Sequence, residues 1–375
     1  MKPSARYYMI GGFLGAGKTT AVAALAQHLT QRGRRVGLIT NDQGSELVDT
    51  AMLRARGFST EEIPGGCFCC RFNSLVEAAR KLTASTRPEA FVAEPVGSCT
   101  DLVATVSYPL RRIYGDEFQL APLSVLVDPV RAEQIFGIGA GRRFSDKVLY
   151  IWRKQVEEAD IIVIAKTDLI DPSRLEALQA RLDQEFPGRK IIAMSIRTGL
   201  GVKAWFELLE TMSPRSTTAM EVDYDVYADG EALLGWLNAT IQISSSEEFD
   251  ANALLFALTG EMKNALAHAE IAHLKMTFSP DQSLAGEIAA LSLVRSDIVP
   301  ELSLKLDSPV PSGQVIVNCR AEGSPTDLQT ALRRGVEALQ REFHGLTAKV
   351  EHMEQFRPGR PTPTHRLNRP EAVST

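Results

Sequence analysis

The chain reads GFLGAGKT from Gly12 to Thr19 and matches the pattern G-x-x-x-x-G-K-[ST] at every fixed position. An apolar run, Tyr7–Ile10, precedes this octapeptide, and an amphipathic stretch, Thr19–Gln31, follows it. A phosphate-binding loop needs this context, because it joins a buried strand to the N-terminus of a helix. The sequence therefore predicts a P-loop in the first βα unit of an α/β domain.

The residue types in this loop suit a nucleoside triphosphate. Glycines let backbone N–H groups turn inward around phosphate oxygens, and the following helix adds the positive end of its dipole. Lys18 is expected to contact the β- and γ-phosphates, and the Thr19 hydroxyl is expected to ligate Mg²⁺. The predicted nucleotide-binding residues of the loop are Gly12, Gly15, Ala16, Gly17, Lys18, Thr19 and Thr20.

Short apolar runs and amphipathic stretches alternate as far as residue 212. The predicted strands after Tyr7–Ile10 are Arg35–Thr40, Ala90–Glu94, Leu123–Asp128, Ile161–Ala165 and Lys190–Met194. The predicted helices after Thr19–Gln31 are Ser74–Thr83, Ser145–Glu158 and Arg174–Phe186. This alternation predicts βαβ units, a mostly parallel sheet and a P-loop NTPase domain over residues 1–212.

The second half of the chain has a different pattern. Residues 213–228 are rich in Ser, Thr, Pro and acidic side chains and are predicted to be a linker. Residues 229–356 follow the order β-α-β-β-β-α-β, which predicts a smaller α+β domain of ferredoxin-like type with one additional strand. The tail, 357–375, carries four prolines and four arginines and is predicted to be extended or disordered.

Composition limits the class of protein. With 375 residues, 44% hydrophobic and 23% charged, the chain is typical of a globular protein of two domains. A net charge of −5 argues against nucleic acid as a partner, and no apolar run is long enough to span a membrane. The apolar stretch Tyr7–Leu14 lacks a small-residue cleavage site, so it is not expected to be a signal peptide. Five cysteines, three of them in four positions, do not suggest a disulfide framework, and a cytoplasmic protein is predicted.

Residues 165–168 read AKTD at the end of the strand Ile161–Ala165, where GTPases carry N-K-x-D. Asp168 is predicted to accept two hydrogen bonds from guanine, which adenine cannot donate, and Lys166 is predicted to stack on the base. Ala165 replaces the usual Asn, and Ser195–Gly199 stands where a second base-contacting loop is expected. The alternative to a base site is that residues 166–168, KTD, are a surface tripeptide that caps the next helix. GTP is the predicted nucleotide.

Two more strand ends suit a γ-phosphate site. The tetrapeptide NDQG, residues 41–44, follows the second strand and is predicted to be a switch loop that contains Asp42. Glu94 is expected to orient a Mg²⁺-bound or attacking water, and the Gly97 N–H to contact the γ-phosphate. An ordinary turn and a strand-end carboxylate are the alternatives. The predicted catalytic residues are Lys18, Asp42 and Glu94.

The stretch from Gly65 to Cys70 reads GGCFCC. Thiolates of Cys67, Cys69 and Cys70 can converge on one soft or borderline cation, for which tetrahedral Zn²⁺ is the default. A fourth ligand would come from water, Cys99, a carboxylate or a partner. Two alternatives remain open: the cysteines pack as small apolar residues, or they form a redox pair.

Four motifs occur together in this sequence: the P-loop, the G-G-C-x-C-C cluster about 50 residues later, the E-x-x-G tetrapeptide from Glu94 and the K-x-D strand end. Together they resemble the CobW family of P-loop GTPases, which is related to the nickel-enzyme maturation GTPases for urease and hydrogenase. The resemblance covers the N-terminal domain closely and the C-terminal half only in the order of its elements. Ala165 and the absence of a histidine-rich stretch are departures from the family, since the six histidines are scattered.

The resemblance implies a GTP-dependent metallochaperone, or an activator of a metalloenzyme or of the cobalamin pathway. Zn²⁺ (or Co²⁺) would be held by the CxCC cysteines, and hydrolysis of the β–γ phosphoanhydride would change metal affinity or partner binding. The implied partners are a client metalloenzyme or a protein of a metal-cofactor pathway, and a second copy of the chain in a nucleotide-dependent homodimer. The alternatives are a P-loop small-molecule kinase, a redox-sensing nucleotide-binding module and an activator in which the cysteines are structural.

Overall fold

A computed structural model describes residues 5–42, 48–115, 117–215, 219–282 and 287–369. The described residues fall into two compact units. Unit 1 lies within Met1–Gln43, Phe58–Gly230 and Arg360–Thr375, and unit 2 lies within Gly44–Gly57 and Glu231–Gly359. In the part of the chain that is described, no helix is both long and apolar enough to cross a membrane.

Strands and helices are numbered along the chain. The strands are β1 Ala5–Gly12, β2 Val36–Asn41, β3 Thr60–Ile63, β4 Ala90–Glu94, β5 Phe118–Leu120, β6 Ser124–Val127, β7 Ile161–Ile164, β8 Lys190–Ala193, β9 Leu234–Phe249, β10 Glu270–Pro280, β11 Ala289–Leu293, β12 Glu301–Leu304, β13 Val310–Glu322 and β14 Leu346–Phe356. The helices are α1 Lys18–Gln31, α2 Val48–Ala55, α3 Phe72–Ser85, α4 Tyr108–Tyr114, α5 Pro129–Phe136, α6 Asp146–Glu158, α7 Pro172–Glu185, α8 Val202–Thr211, α9 Tyr224–Leu233, α10 Ala251–Ala265 and α11 Pro325–Glu342.

Unit 1 is built on a parallel sheet. Among the described residues this sheet has eight strands in the order β3-β2-β4-β1-β6-β7-β8, and β5 also pairs with β1. The continuous apolar run of β7 is buried along its whole length, because a parallel strand is covered by helices on both faces. The predicted P-loop NTPase fold is confirmed.

Unit 2 is an antiparallel sheet with helices α10 and α11 packed on it. In the described residues its six strands follow the order β12-β11-β10-β13-β9-β14. Leu254, Leu258 and Met262 of α10 and Leu332 and Leu339 of α11 are fully buried in its core. The predicted ferredoxin-like domain is confirmed, with one strand more than expected. The sequence did not indicate β12 because this strand has only four residues, half-exposed and next to a proline.

A short segment between β2 and β3 belongs to unit 2. Helix α2 lies in this segment, which spans Gly44–Gly57. Lys275 of β10 binds Asp49 of α2 at 2.6 and 2.8 Å, and the Val48 N–H donates to Asn318 Oδ1 of β13 at 2.9 Å. Neither this helix nor its place in unit 2 was predicted.

The predicted linker contains the start of a helix. Asp223 Oδ1 accepts hydrogen bonds from the N–H groups of Asp225 and Val226, at 2.9 and 3.1 Å, and so caps the first turn of α9. The tail has neither helix nor strand from 357 to 369, but it is not detached from the fold. Its residues 360–369, here called the C-terminal strap, belong to unit 1.

Candidate functional site

Four loops that the sequence singled out follow four neighbouring strands of unit 1. Loops after parallel strands meet at the carboxyl edge of the sheet, where open α/β sheets bind their ligands. The order β3-β2-β4-β1 therefore places side by side the cysteine loop, Asp42, Glu94 and the P-loop. The sheet topology, which the sequence alone does not supply, makes these loops one site.

The P-loop backbone requires glycine at three of its positions. Gly12, Gly15 and Gly17 have φ values of 132°, 78° and 94°, a region that favours glycine. A Cβ at Gly12 would lie only 2.5 Å from the Leu126 carbonyl oxygen of β6. Helix α1 begins directly after Gly17, so its unpaired N–H groups face the loop.

The loop after β4 runs against the P-loop. The Thr19 hydroxyl donates to Glu94 Oε1 at 3.0 Å, and both residues are buried. A Cβ at Gly97 would lie 3.0 Å from Lys18 Nζ and 2.7 Å from Leu14 Cδ2, so a side chain at this position would crowd both neighbours. Lys18, Thr19, Glu94 and Gly97 are thus brought together.

Asp42 lies at the end of β2 and is 9% exposed. Its N–H donates to the Ile63 carbonyl at 3.4 Å. Its neighbour Asn41 donates through Nδ2 to the carbonyls of Ile63 and Gly66, at 2.9 and 2.7 Å. Asn41 therefore ties the end of β2 to the turn that precedes the cysteines, a role that the sequence did not indicate. The other two residues of the predicted switch loop, 43 and 44, lie outside the described residues.

The three clustered cysteines converge. The Sγ atoms of Cys67 and Cys69 are 2.7 Å apart, those of Cys67 and Cys70 are 3.2 Å apart, and those of Cys69 and Cys70 are 3.7 Å apart. The Cys67 carbonyl accepts hydrogen bonds from the N–H groups of Cys70 and Arg71, which closes a turn just before α3. This turn directs three thiols at one point, as a metal site needs and as an extended CxCC segment would not.

Hydrogen bonds among the thiols set their acidity. Hydrogen bonds with Cys69, Cys70 and Cys99 lower the pKa of Cys67 well below its usual range. The bond to Cys67 raises the pKa of Cys70 to about 11, and bonds to the other thiols likewise raise the pKa of Cys69. The first thiolate is therefore stabilised by its neighbours, while further thiolates repel it and need a cation to balance their charge.

The C-terminal strap contacts the cysteine loop. The Thr362 N–H donates to Cys70 Sγ at 3.3 Å, and the Thr364 hydroxyl donates to the Cys70 carbonyl at 3.0 Å. The Thr364 N–H donates to the Cys69 carbonyl at 2.8 Å. Hydrogen bonds from backbone amides to a thiolate sulfur stabilise its charge, so the strap is part of the surroundings of any bound metal.

A second set of contacts fastens the strap to the loop after β4. Arg366 Nε donates to Asp101 Oδ2 at 2.7 Å, and Tyr224 donates to the same oxygen at 2.7 Å. Asp101 is 1% exposed and has a φ of 63°, which is uncommon for a residue with a side chain. Nothing in the proline- and arginine-rich composition of the tail indicated these contacts.

Asp168 and the loop after β8 meet as predicted for a base site. Ser195 Oγ donates to Asp168 Oδ1 at 2.7 Å, and Arg197 Nη1 lies 3.2 Å from Asp168 Oδ2. The Asp168 side chain is 15% exposed, and both of its carboxylate oxygens have partners. Ala165 is buried and has no side-chain amide to bridge this site to the P-loop.

Lys166 contacts the P-loop and an acidic residue that the sequence did not single out. Its Nζ donates to the Gly15 carbonyl at 2.6 Å and to Asp128 Oδ2 at 2.9 Å. Burial by itself would raise the pKa of Asp128, but the charge of Lys166 and a hydrogen bond from the Arg131 N–H lower it to about 2. Asp128 therefore carries a charge that holds Lys166 over the phosphate-binding loop.

Replacing Lys166 by Met is expected to destabilise unit 1 by about 2 kcal/mol at pH 7, because the buried Asp128 charge loses the cation that stabilises it most. The native pKa of Asp128 lies below its ordinary value of 3.8, so the pair stabilises the fold above about pH 4 and loses this effect as pH falls toward 2. In the variant, burial raises the pKa of Asp128, so its carboxyl group takes up a proton on acidification. The loss of stability relative to the original chain then becomes smaller.

Urea unfolding at pH 7 and pH 4.5, followed by tryptophan fluorescence, measures the difference between Lys166→Met and the original chain. Trp152 and Trp205 report on unit 1, and Trp236 reports on unit 2. Lys203→Met is the matched control, because the Lys203 side chain is 90% exposed. An equal loss in the free energy of unfolding at both pH values would contradict the assignment of the effect to Asp128.

The fold and the phosphate-binding loop define a P-loop protein. Residues 6–193, which are half of the chain, match the family described as CobW/HypB/UreG, nucleotide-binding domain. The chain belongs to this family.

Among curated proteins, the chain is 29% identical to zinc chaperone CobW of Sinorhizobium sp over 230 residues, which are 52% of this chain and 62% of that protein. It is 28% identical to zinc chaperone YeiR of Escherichia coli K12 over 190 residues, 50% of this chain and 54% of the relative. The chain thus spans less than two thirds of the length of each of these relatives.

Solved structures with similarity include hydrogenase maturation factor HypB from Archaeoglobus fulgidus and Zn(II)-bound YjiA GTPase from E. coli. The HypB match has 20% identity and a TM-score of 0.38, and covers 56% of this chain and 89% of that one. The YjiA match has 14% identity and a TM-score of 0.33, and covers 89% of this chain and 99% of that one. These scores are too low to add to the fold described above.

Proposed function

We propose that this chain is a metallochaperone that hydrolyses GTP at the β–γ phosphoanhydride and carries zinc on Cys67, Cys69 and Cys70. The observation that carries the proposal is the convergence of three thiols within 4.8 Å of one another, on a loop at the same sheet edge as the P-loop. Membership of the CobW/HypB/UreG family supports it, as do relatives whose names describe them as zinc chaperones.

The nucleotide site supplies the positive and polar groups that phosphoryl transfer needs. Lys18 would contact the β- and γ-phosphates, and the P-loop N–H groups would surround them. Thr19 and Glu94 present two buried oxygens 3.0 Å apart, a donor pair that suits Mg²⁺. A magnesium ion held there would neutralise charge on the phosphate oxygens. Asp42 and Glu94 would orient the attacking water.

The base site favours guanine through one carboxylate. Asp168 would accept hydrogen bonds from the guanine N1–H and amino group, after its contact with Arg197 is broken. Lys166 already lies against the P-loop and would stack on the base. Because Ala165 lacks the usual amide, selectivity against ATP would depend on Asp168 and is expected to be lost in Asp168→Asn.

The thiol cluster suits a transferable ion. Three neighbouring thiolates attract zinc strongly, and Co²⁺ is the other divalent ion that we expect these ligands to hold. The recipient would be an apo-metalloenzyme or a protein of a metal-cofactor pathway, in the cytoplasm, where thiols stay reduced. A homodimer formed in the presence of GTP remains a prediction, which the change of hydrodynamic size on adding GTP would check.

The test measures hydrolysis and bound metal on the same preparation. We expect phosphate release from GTP with no added acceptor, at about 10⁻⁴ to 10⁻² s⁻¹ without a partner. We also expect one zinc ion per chain and a zinc affinity that differs between GTP- and GDP-loaded protein. Phosphate release only in the presence of a small-molecule acceptor would indicate a kinase instead. Nucleotide affinity that follows thiol oxidation and ignores zinc would indicate a redox module.

A further inference from the structure

We infer that the C-terminal strap is a clamp on the cysteine loop, residues 65–70, which strengthens zinc binding through the Thr362 N–H and slows release of the ion. The inference rests on the proposed function and adds to it the element that controls how long the ion stays on the cluster. Thr362 is a positioning residue, because it acts through the Cys70 sulfur and not on the ion itself. The strap, the cysteine loop and the loop after β4 all belong to unit 1.

The first argument is where the backbone donors of the strap point. Residues 361–364 read PTPT, and the two prolines have no N–H group. Both of the remaining N–H groups bind the cysteine loop. Thr362 donates to Cys70 Sγ at 3.3 Å, and Thr364 donates to the Cys69 carbonyl at 2.8 Å. The alternating prolines also favour an extended segment before it docks, which lowers the entropy cost of ordering it.

The second argument is which thiol receives the bond. Cys67 and Cys69 are 4% and 1% exposed, whereas Cys70 is only partly buried. A competing ligand would approach the ion from the side of the accessible thiol, and this is the thiol that the strap contacts. An N–H bond to a metal-bound sulfur belongs to the outer contacts of a metal site, whose loss typically costs about 10- to 100-fold in metal affinity.

The third argument is that contacts on either side of this stretch hold the strap in place. After it, Arg366 Nε donates to Asp101 at 2.7 Å, and the Leu367 N–H donates to the Ala104 carbonyl at 2.9 Å. Before it, Arg360 is paired with an aspartate of α9. The His365 ring packs edge-on against the ring of the first residue of α3, with centroids 5.0 Å apart. A segment held at both ends keeps its N–H groups directed at the cysteine loop.

The loop after β4, to which the strap is fastened, is itself fixed to helix α6. Gln155 Nε2 donates to the carbonyls of Gly97 and Cys99, at 2.9 and 2.8 Å. Glu158 accepts the Val103 N–H at 3.1 Å. These bonds lie on both sides of the aspartate that binds the strap. The strap is therefore fastened to a firmly held part of unit 1.

Thr362→Pro tests the clamp by removing one N–H group. Position 362 already precedes a proline, which restricts it to the extended conformations that proline itself adopts. We expect Thr362→Pro to lower zinc affinity about 10-fold, measured by competition with a chromophoric chelator. Thr362→Ala is the matched control, because it keeps the N–H and is expected to bind zinc as the original chain does. GTP affinity, measured in parallel, shows whether both variants are folded.

Trypsin provides a second readout, which follows the strap itself. It can cut the strap only after Arg366, because Arg360 and Arg369 precede prolines. Cleavage requires the Arg366 side chain to leave its partners, so the rate follows the fraction of chains in which the strap is undocked. If a docked strap strengthens zinc binding about 10-fold, saturating zinc must favour docking by the same factor and slow this cleavage about 10-fold. This protection is expected to be lost in Thr362→Pro and kept in Thr362→Ala.

Asp101→Asn tests whether the strap slows release of the ion. Asn tolerates the positive φ of this position and can still accept the bond from Tyr224, but it lacks the charge that binds Arg366. Loss of a charge-assisted hydrogen bond is expected to make cleavage after Arg366 about 10-fold faster in the zinc-free chain. Transfer of zinc to a chelator in excess is expected to become faster by a similar factor, because the ion leaves when the strap is undocked.

The outcomes separate this inference from the proposed function. Unchanged zinc affinity in Thr362→Pro, or cleavage after Arg366 that is independent of zinc in the original chain, would overturn the clamp. Faster cleavage in Asp101→Asn without faster zinc transfer would overturn its part in retaining the ion. The CxCC chaperone proposal would survive each of these results. Failure of the original chain to bind zinc through the CxCC cysteines would instead overturn the proposed function, on which the clamp rests.

Discussion

Lys18→Ala is expected to lower kcat for GTP hydrolysis by about 10²- to 10³-fold, the cost of removing one group that stabilises transition-state charge. The Lys18 side chain is buried and lies where a Cβ of Gly97 would approach it within 3.0 Å, so water cannot readily replace the ammonium group. Its hydrogen bond to the Phe13 carbonyl is long, at 3.4 Å.

Single-turnover phosphate release at saturating GTP measures this change, with nucleotide affinity determined on the same sample. Lys203→Ala, at an exposed position of α8, is the matched control and is expected to hydrolyse GTP normally. Lys18→Arg is expected to fail as well, because the larger planar group would meet the loop at Gly97. A loss below about threefold in Lys18→Ala would exclude this lysine from the reaction.

Replacing Cys67, Cys69 and Cys70 together by Ala is expected to lower zinc affinity by about 10⁴-fold or more, since structural zinc sites bind with about 10–16 kcal/mol. The three thiols converge on one point and supply most of the ligands that a zinc ion would need. Ala leaves only a small void at Cys67 and Cys69, and the P-loop contains none of the three residues. GTP binding should therefore persist.

Competition with a chromophoric chelator, on reduced protein, measures this loss of affinity. Cys70→Ala alone is expected to have a smaller effect, and Cys319→Ala none. GTP affinity, measured in parallel, shows whether the triple variant is folded. An unchanged stoichiometry of tightly bound zinc in a triple variant that still binds GTP would eliminate the CxCC cluster as the metal site.

Much of the candidate site could be predicted from sequence because its parts are local motifs. The P-loop, the AKTD strand end and the CxCC run each place their chemical groups within a few residues, so spacing alone indicates what they can bind. Asp168 and the Ser195–Gly199 loop were each expected to contact the base, and a hydrogen bond joins Ser195 to Asp168. Both segments follow neighbouring parallel strands, which explains the contact.

Contacts between loops could not be predicted in this way. Asp128 was noticed only as the last residue of a strand, and Asn41 only as the start of a switch loop. Gln155 and Glu158 looked like ordinary residues of an amphipathic helix. Each of them acts on a segment 22 to 58 positions away, and no periodicity or composition relates such pairs.

The sequence by itself determined that this chain has a P-loop on a parallel sheet, a smaller α+β unit and a cluster of three thiols. Each of these follows from short-range patterns: a strand-loop-helix motif, hydrophobic periodicity and cysteine spacing. Only the tertiary structure decided that β3, β2, β4 and β1 are neighbours, and that the strap at 360–369 fastens the loops after β3 and β4. The reason is physical, because strand order and loop contacts depend on how distant segments pack together, and the free energy of that packing is not contained in any one segment.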